Sequence, residues 1–142
     1  MEKGYGLGFA LTMVCLLIPE AKALDLQHLE QFRQTGSCVN CDLSGAVLVD
    51  ARLSNTDLRG ANLAAADLTR ADLRNARLQG ANLAGASLIE ANLSSANLTG
   101  ANLQVAGLVR ANLTRAILTG ASLIRAKLLA ANLSNADLRR SL

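Results

Sequence analysis

From Leu43 to Leu138 every fifth residue is leucine, twenty positions without interruption. The residue two before each leucine is alanine in eighteen of the twenty units, the exceptions being Cys41 and Thr56, so the unit reads A-x-L-x-x. A helical stripe recurs at about 3.6 residues and a strand alternates at 2, so a period of five belongs to neither. A helix would smear these leucines around its whole circumference, and a straight strand would send successive ones to opposite faces. The period makes sense if each unit forms one side of a coil and then turns, with leucine and the alanine before it pointing inward. Four sides then close a coil of about twenty residues. Coils stacked backbone on backbone at about 4.8 Å turn residues 41–140 into about five coils and a rod roughly 24 Å long. The pattern predicts an all-β solenoid.

Units such as Ala61-Asn62-Leu63 and Ala71-Asp72-Leu73 resemble the A-(D/N)-L-x-x repeat of the pentapeptide-repeat family over Cys41–Arg140. The resemblance implies a right-handed quadrilateral parallel β-helix. Alanine at one inward position lets leucine fill a thin axis, and stability accumulates over neighbouring coils. Beyond residue 23 the only aromatic residue is Phe32, which a leucine-filled solenoid tolerates and a globular core of this length rarely does. The length predicts one domain.

Residues 1–23 follow different rules. Lys3 gives a positive start, Leu7–Ile18 is an apolar run, and Ala21-Lys22-Ala23 offers an A-x-A cleavage site, which together predict a cleaved secretory signal peptide. The competing reading is an uncleaved anchor, but the run is short of the roughly 20 residues that span a bilayer, so no stable membrane insertion is expected after cleavage. Met13 and Val14 before Cys15 are not a lipoprotein box.

Over residues 24–40 the expectation is a short α-helical cap. Asp25 can cap its start, Leu26, Leu29 and Phe32 recur on one side, and Gly36 ends it. Such a cap would cover the first coil, whose open end otherwise exposes unpaired backbone and core leucines. At the other end, Arg139 and Arg140 precede a tail of Ser141 and Leu142. Either the arginines discourage end-to-end stacking or the last coil is buried against a second copy.

Cys38 and Cys41 are spaced C-x-x-C. A zinc site needs about four ligands and finds only His28 besides them. A thioredoxin-like pair calls for a βαβ context that the repeat does not offer. The remaining chemistry is a local disulfide, in keeping with an exported chain. Cys41 takes the alanine slot of the first unit and Cys38 the leucine slot of a degenerate unit before it, so both would face the axis. N-terminal cysteine pairs also occur in exported members of the family from cyanobacteria and thylakoid lumens, and the resemblance implies an oxidised bracket here and a periplasmic or thylakoid-lumen location.

Position n should stack on n+20, which sorts the outward residues into rows. Val49, Thr69, Ile89, Val109 and Leu129 form a mostly apolar column, joined by Val47 and extended by Val105 and Ile124. Such a column is either a contact site or a consequence of strand propensity. Beside it Asp50, Arg70, Glu90 and Arg110 alternate in sign, and Arg52 with Asp72 and Asp57 with Arg77 promise similar cross-coil pairs. Asn62, Asn82, Asn102 and Asn92, Asn112, Asn132 are candidate amide ladders. Gly60, Gly80, Gly100 and Gly120 fall at a corner where a turn can need positive φ. The glycosylation sequons beginning at Asn92, Asn97, Asn112 and Asn132 are products of the repeat unit.

Beyond residue 23 the chain holds one histidine and no assembled nucleophile and base, and a filled rod offers no pocket, so an enzyme is not expected. No cofactor or metal is called for. Some family members mimic DNA and bind topoisomerases through a strongly acidic rod. The net charge of +3 and the export signal argue against that alternative. The positive charges are dispersed, with no basic patch and aromatics to bind nucleic acid. The expected function is that of an exported, non-enzymatic interaction or structural module whose partner is another protein or a second copy.

Overall fold

The structure is a computed structural model that describes residues 35–142. The signal read over 1–23 and the cap read on Leu26, Leu29 and Phe32 lie outside the described residues.

The turn is the unit from which the fold is built. The alanine N–H donates to the carbonyl of the leucine three residues earlier, as from Ala66 to Leu63 at 3.1 Å, and the third residue of that turn, Ala65, has φ 56°. A hydrogen-bonded turn with positive φ at its third position is type II. It recurs every five residues from Asn40 to Arg140, so all corners need the left-handed conformation, including fifteen that lack glycine. Gly60, Gly80, Gly100 and Gly120 do stand at corners with positive φ, but the requirement is general. Asn40, Asn55, Asn75, Asn135 and Asp50 suit it, because their short polar side chains tolerate this region. Val105, β-branched at φ 61°, suits it least.

Between turns the chain is extended long enough to pair with the coils above and below. Parallel bridges join n to n+20 from Ser37↔Asp57 through Ile117↔Asp137. Each side contributes several hydrogen bonds to the stack: Leu63 N–H donates to Asn82 O at 2.7 Å, Ala65 N–H to Ala84 O at 2.9 Å, and Asn82 N–H to Ala61 O at 2.9 Å. We number the sides by the rows at their centres: the first holds Asp42, Asn62, Asn82, Asn102 and Ser122, the second Val47 to Lys127, the third Arg52 to Asn132, and the fourth Asp57 to Asp137.

Leucine and alanine fill the axis together. Leucines from Leu43 to Leu118 and alanines from Ala46 to Ala121 are buried, while Leu123–Ala136 are partly buried against them. Each buried leucine contributes on the order of 1.5–3 kcal/mol. Thr56, the polar residue in an alanine slot, is buried because its hydroxyl donates to Leu53 O at 2.6 Å. Ser141 repeats that device on Leu138 O.

Two boundaries differ from those read in the sequence. Among the described residues bridging starts at Ser37, four residues ahead of Cys41, because the degenerate unit with Cys38 in its leucine slot already pairs with the next coil. Ser141 and Leu142 are not a free tail but the start of another side: Leu142 N–H donates to Ala121 O, and Leu142 O accepts from Leu123 N–H.

Two substitutions test this architecture. Leu88→Asp places an unpaired carboxylate at a fully buried mid-rod position and should lower stability by at least about 4 kcal/mol. A thermal melt within a few degrees of wild type would contradict the inward packing. Val105→Asn relieves a β-branched residue in the left-handed region and should raise stability by about 0.5–1 kcal/mol in denaturant titration.

Candidate interaction surface

Seen from outside, three sides spend most of their polar groups on the rod itself. On the first side Asn62 Nδ2 donates to Asp42 Oδ1 at 3.0 Å, Asn82 Nδ2 to Asn62 Oδ1 at 3.2 Å, and Asn102 Nδ2 to Asn82 Oδ1 at 3.2 Å, the amide ladder read from the sequence. On the third side Asn92, Asn112 and Asn132 stack without such a ladder. As on the first side, each Oδ1 accepts the backbone N–H two residues on, here from Ser94, Thr114 and Ser134, and the Thr114 and Ser134 hydroxyls add bonds of 2.6 Å. At Asn112 the Thr114 hydroxyl takes the place of the neighbouring amide, whereas Asn92 accepts only the Ser94 N–H. This gives the N-L-S/T triplets a structural use as turn caps.

The ion pairs divide in the same way. Asp72 is held by Arg74 at 2.8 and 2.7 Å, and no ion pair joins it to Arg52. Asp57 is held by Arg59 at 2.8 and 2.7 Å, with Arg77 only at 4.0 Å. The expected cross-coil pairs lose because the carboxylate already accepts the backbone N–H of the arginine two residues on, which brings that guanidinium into two-pronged reach. Asp137 and Arg139 form a third such pair. The missed signal was the triplet D-L-R at Asp57, Asp72 and Asp137.

The second side differs. Here the turn residues lean back over the side: the Thr69 hydroxyl lies 3.0 Å from that of Ser87, and Ile89 Cγ1 covers Gly107, 3.8 Å from where a Cβ would stand. Val49 and Val109 are half-buried, Thr69 breaks the column with a hydroxyl, and Ile89 is 39% exposed. Leu129 is 77% exposed, and Val47, Val105 and Ile124 are also exposed. Along the outer edge Asp50 takes both prongs of Arg70 at 2.7 and 2.6 Å, and Glu90 meets Arg110 at 3.4 Å. All four of these charged side chains remain largely in solvent.

At the first turn Cys38 and Cys41 are buried, their Cα atoms 5.3 Å apart and their sulfurs joined. They occupy the leucine and alanine slots. Among the described residues no group of three or more His, Cys, Asp or Glu could hold a metal ion, and no helix is long and apolar enough to cross a membrane.

A coil of twenty residues, closed by type II turns and filled by alanine and leucine, defines a parallel β-solenoid with flat sides. The pentapeptide repeats family matches residues 37–75, 66–104 and 106–142, with eight copies of the repeat, and the chain belongs to this family. Its members form right-handed quadrilateral β-helices and are generally structural or binding proteins. Among solved structures the chain is similar to HetL, a pentapeptide repeat protein involved in heterocyst differentiation regulation from the cyanobacterium Nostoc sp. strain PCC 7120. The two are 42% identical, with a TM-score of 0.72, over 74% of this chain and 50% of HetL. The match therefore spans half of HetL's length. Rfr23 from the cyanobacterium Cyanothece 51142 is 29% identical over 82% of this chain and 97% of its own, with a TM-score of 0.67. A pentapeptide repeat protein from the Arabidopsis thaliana thylakoid lumen is 30% identical over 72% of this chain and 66% of its own, with a TM-score of 0.48. No curated protein matches the chain.

The aspartate pairs set a pH dependence. Hydrogen bonds from Arg70, Arg59, Arg74 and Arg139 hold the carboxyls of Asp50, Asp57, Asp72 and Asp137 below the ordinary aspartate range. A carboxyl whose value is depressed on folding adds stability above its unfolded value, and that stability is lost as pH falls through the folded value. The melting temperature should therefore decline once pH drops below about 4, the unfolded aspartate value. A melting temperature unchanged down to pH 2 would contradict these pairs.

Proposed function

We propose that this chain is an exported, non-enzymatic rod that binds a protein partner through its second side. The observation that carries this reading is the exposed apolar column. Polar side chains on all four sides are largely committed to caps, ladders and ion pairs within the rod, and the second side adds Val47, Ile89 and Leu129 in contact with water, with Val105 and Ile124 beside them on the first side. Strand propensity explains β-branched residues in a sheet, and an exposed apolar row such as Val47 and Ile89 on one side also offers a contact surface. A rigid rod is preorganised for docking, so little ordering entropy is lost on contact. HetL's involvement in regulation is the kind of role a binding rod serves.

Export rests on the leader pattern of residues 1–23 and on the cysteine pair. In an oxidising compartment the Cys38–Cys41 bridge would brace the first turn, worth roughly 2 kcal/mol for so short a loop. A helical cap built on Leu26, Leu29 and Phe32 would cover the first coil, and the periplasm or a thylakoid lumen would be the place of action. Mimicry of DNA fits poorly, because residues 35–142 carry eleven Arg and Lys against seven Asp and Glu.

Photo-crosslinking in extract of the protein's own compartment tests the surface. A probe at Ile89 should give a discrete adduct and a probe at Asn92, on the third side, should give none. Absence of an adduct from Ile89 would contradict the proposal.

A further inference from the structure

Along the second side's outer edge the charges run Asp50, Arg70, Glu90, Arg110 at one-coil intervals, so the row reads minus, plus, minus, plus. Read from the other end it is plus, minus, plus, minus. Such a row is complementary to its own reverse. A copy laid antiparallel against it, about a two-fold axis perpendicular to the rod and passing between Arg70 and Glu90, meets opposite charge at every step. Asp50 faces the partner's Arg110 and Arg70 faces the partner's Glu90, each contact occurring twice.

We propose that the occupant of the second side is a second copy of this chain, docked antiparallel through the stretch of the apolar column from Val49 to Val109 and this charge row. The inference rests on the second side being the binding surface and commits that surface to self-association. The remaining rows agree with the same axis. In the turn row Val49 meets the partner's Val109 and Thr69 meets the partner's Ile89. In the central row Val47 meets the partner's Gly107 and Asp67 meets the partner's Ser87, so no like charges are opposed. Ile89 lies against Gly107, its Cγ1 at ordinary contact distance from where a Cβ would stand. A two-fold axis along the rod carries one copy's charge row to the opposite edge of the other, so these four charges keep only their partners within the chain. An isologous pair closes on itself and does not grow into a filament.

The overlap covers about four coils, a strip roughly 19 Å long. That is well below the roughly 800 Å² per partner of a standard stable interface, so the dimer is weak and its charges decide between partners more than they add affinity.

Charge reversal in the full chain provides the test by sedimentation velocity over a concentration series. Wild type should pass from monomer to dimer. Arg70→Glu alone sets carboxylate against carboxylate at both of its contacts with the partner's Glu90, Glu90→Arg alone opposes arginines twice, and each should weaken dimerisation by at least about tenfold. An equimolar mixture of the two variants restores opposite charges at both contacts and should dimerise within a few-fold of wild type. Because the mixture repairs nothing inside either chain, its recovery separates docking from folding. Wild type that stays monomeric, variants that dimerise as well as wild type, or a mixture that stays monomeric would each overturn the inference. The Ile89 crosslink separates the two readings. An adduct to a second copy supports both, an adduct only to another protein sinks self-association and leaves the binding surface standing, and no adduct sinks both.

Discussion

The hydrogen bond from each alanine N–H to the leucine carbonyl three residues before it governs this molecule. It closes a turn every five residues, and a chain that turns so regularly must return over itself after four turns. That return places n beneath n+20, aligns the leucines on one axis and leaves room beside each for a small side chain, alanine in most units. The turn also forces a left-handed residue at every corner. The strain at non-glycine corners such as Val105 persists because the stacked hydrogen bonds above and below fix the backbone there.

Given that scaffold, the outside of the rod is a set of parallel rows whose side chains must choose between a partner within the turn and one in the next coil. Where an acceptor at the side's centre is followed two residues later by arginine, threonine or serine, the local partner wins, as at Asp72, Asn112 and Asp137. Where the following residue is alanine or glutamine, as after Asn62, Asn82 and Asn102, the amide is left to reach the next coil and a ladder forms. The edge row of Asp50 and Arg70 lies beyond the reach of a local competitor and pairs between coils. Asp42 and Thr69 depart from this preference: Asp42 accepts both the Ser44 N–H and the Asn62 amide, and the Thr69 hydroxyl turns to Ser87 rather than to Asp67.

The same distinction explains what could be read in the sequence. Backbone register was legible because the period of five leaves a single way to keep leucine and alanine inside. So was the ladder at Asn62, and so was the alternation at Asp50 and Arg70. The pairing of Asp72 with Arg74 was not, because stacking arithmetic finds neighbours twenty residues apart and is blind to a contact across two. The corners at Arg70, Glu90 and Val105 were not legible either, since glycine marks only some of the positions that the turn forces to positive φ. For the candidate surface, the column from Val49 to Leu129 followed from register alone. That Thr69 leans onto Ser87 and Ile89 onto Gly107 required the structure.

The central claim is that the second side is covered in the working protein while the others face water. Ile89 and Ile117 provide a matched pair, both 39% exposed, one on the second side and one on the fourth. Hydroxyl-radical footprinting of the dilute purified chain and of the chain in its own compartment compares them directly. Ile89 should become protected in the compartment and Ile117 should not. Equal oxidation of Ile89 under both conditions would contradict it.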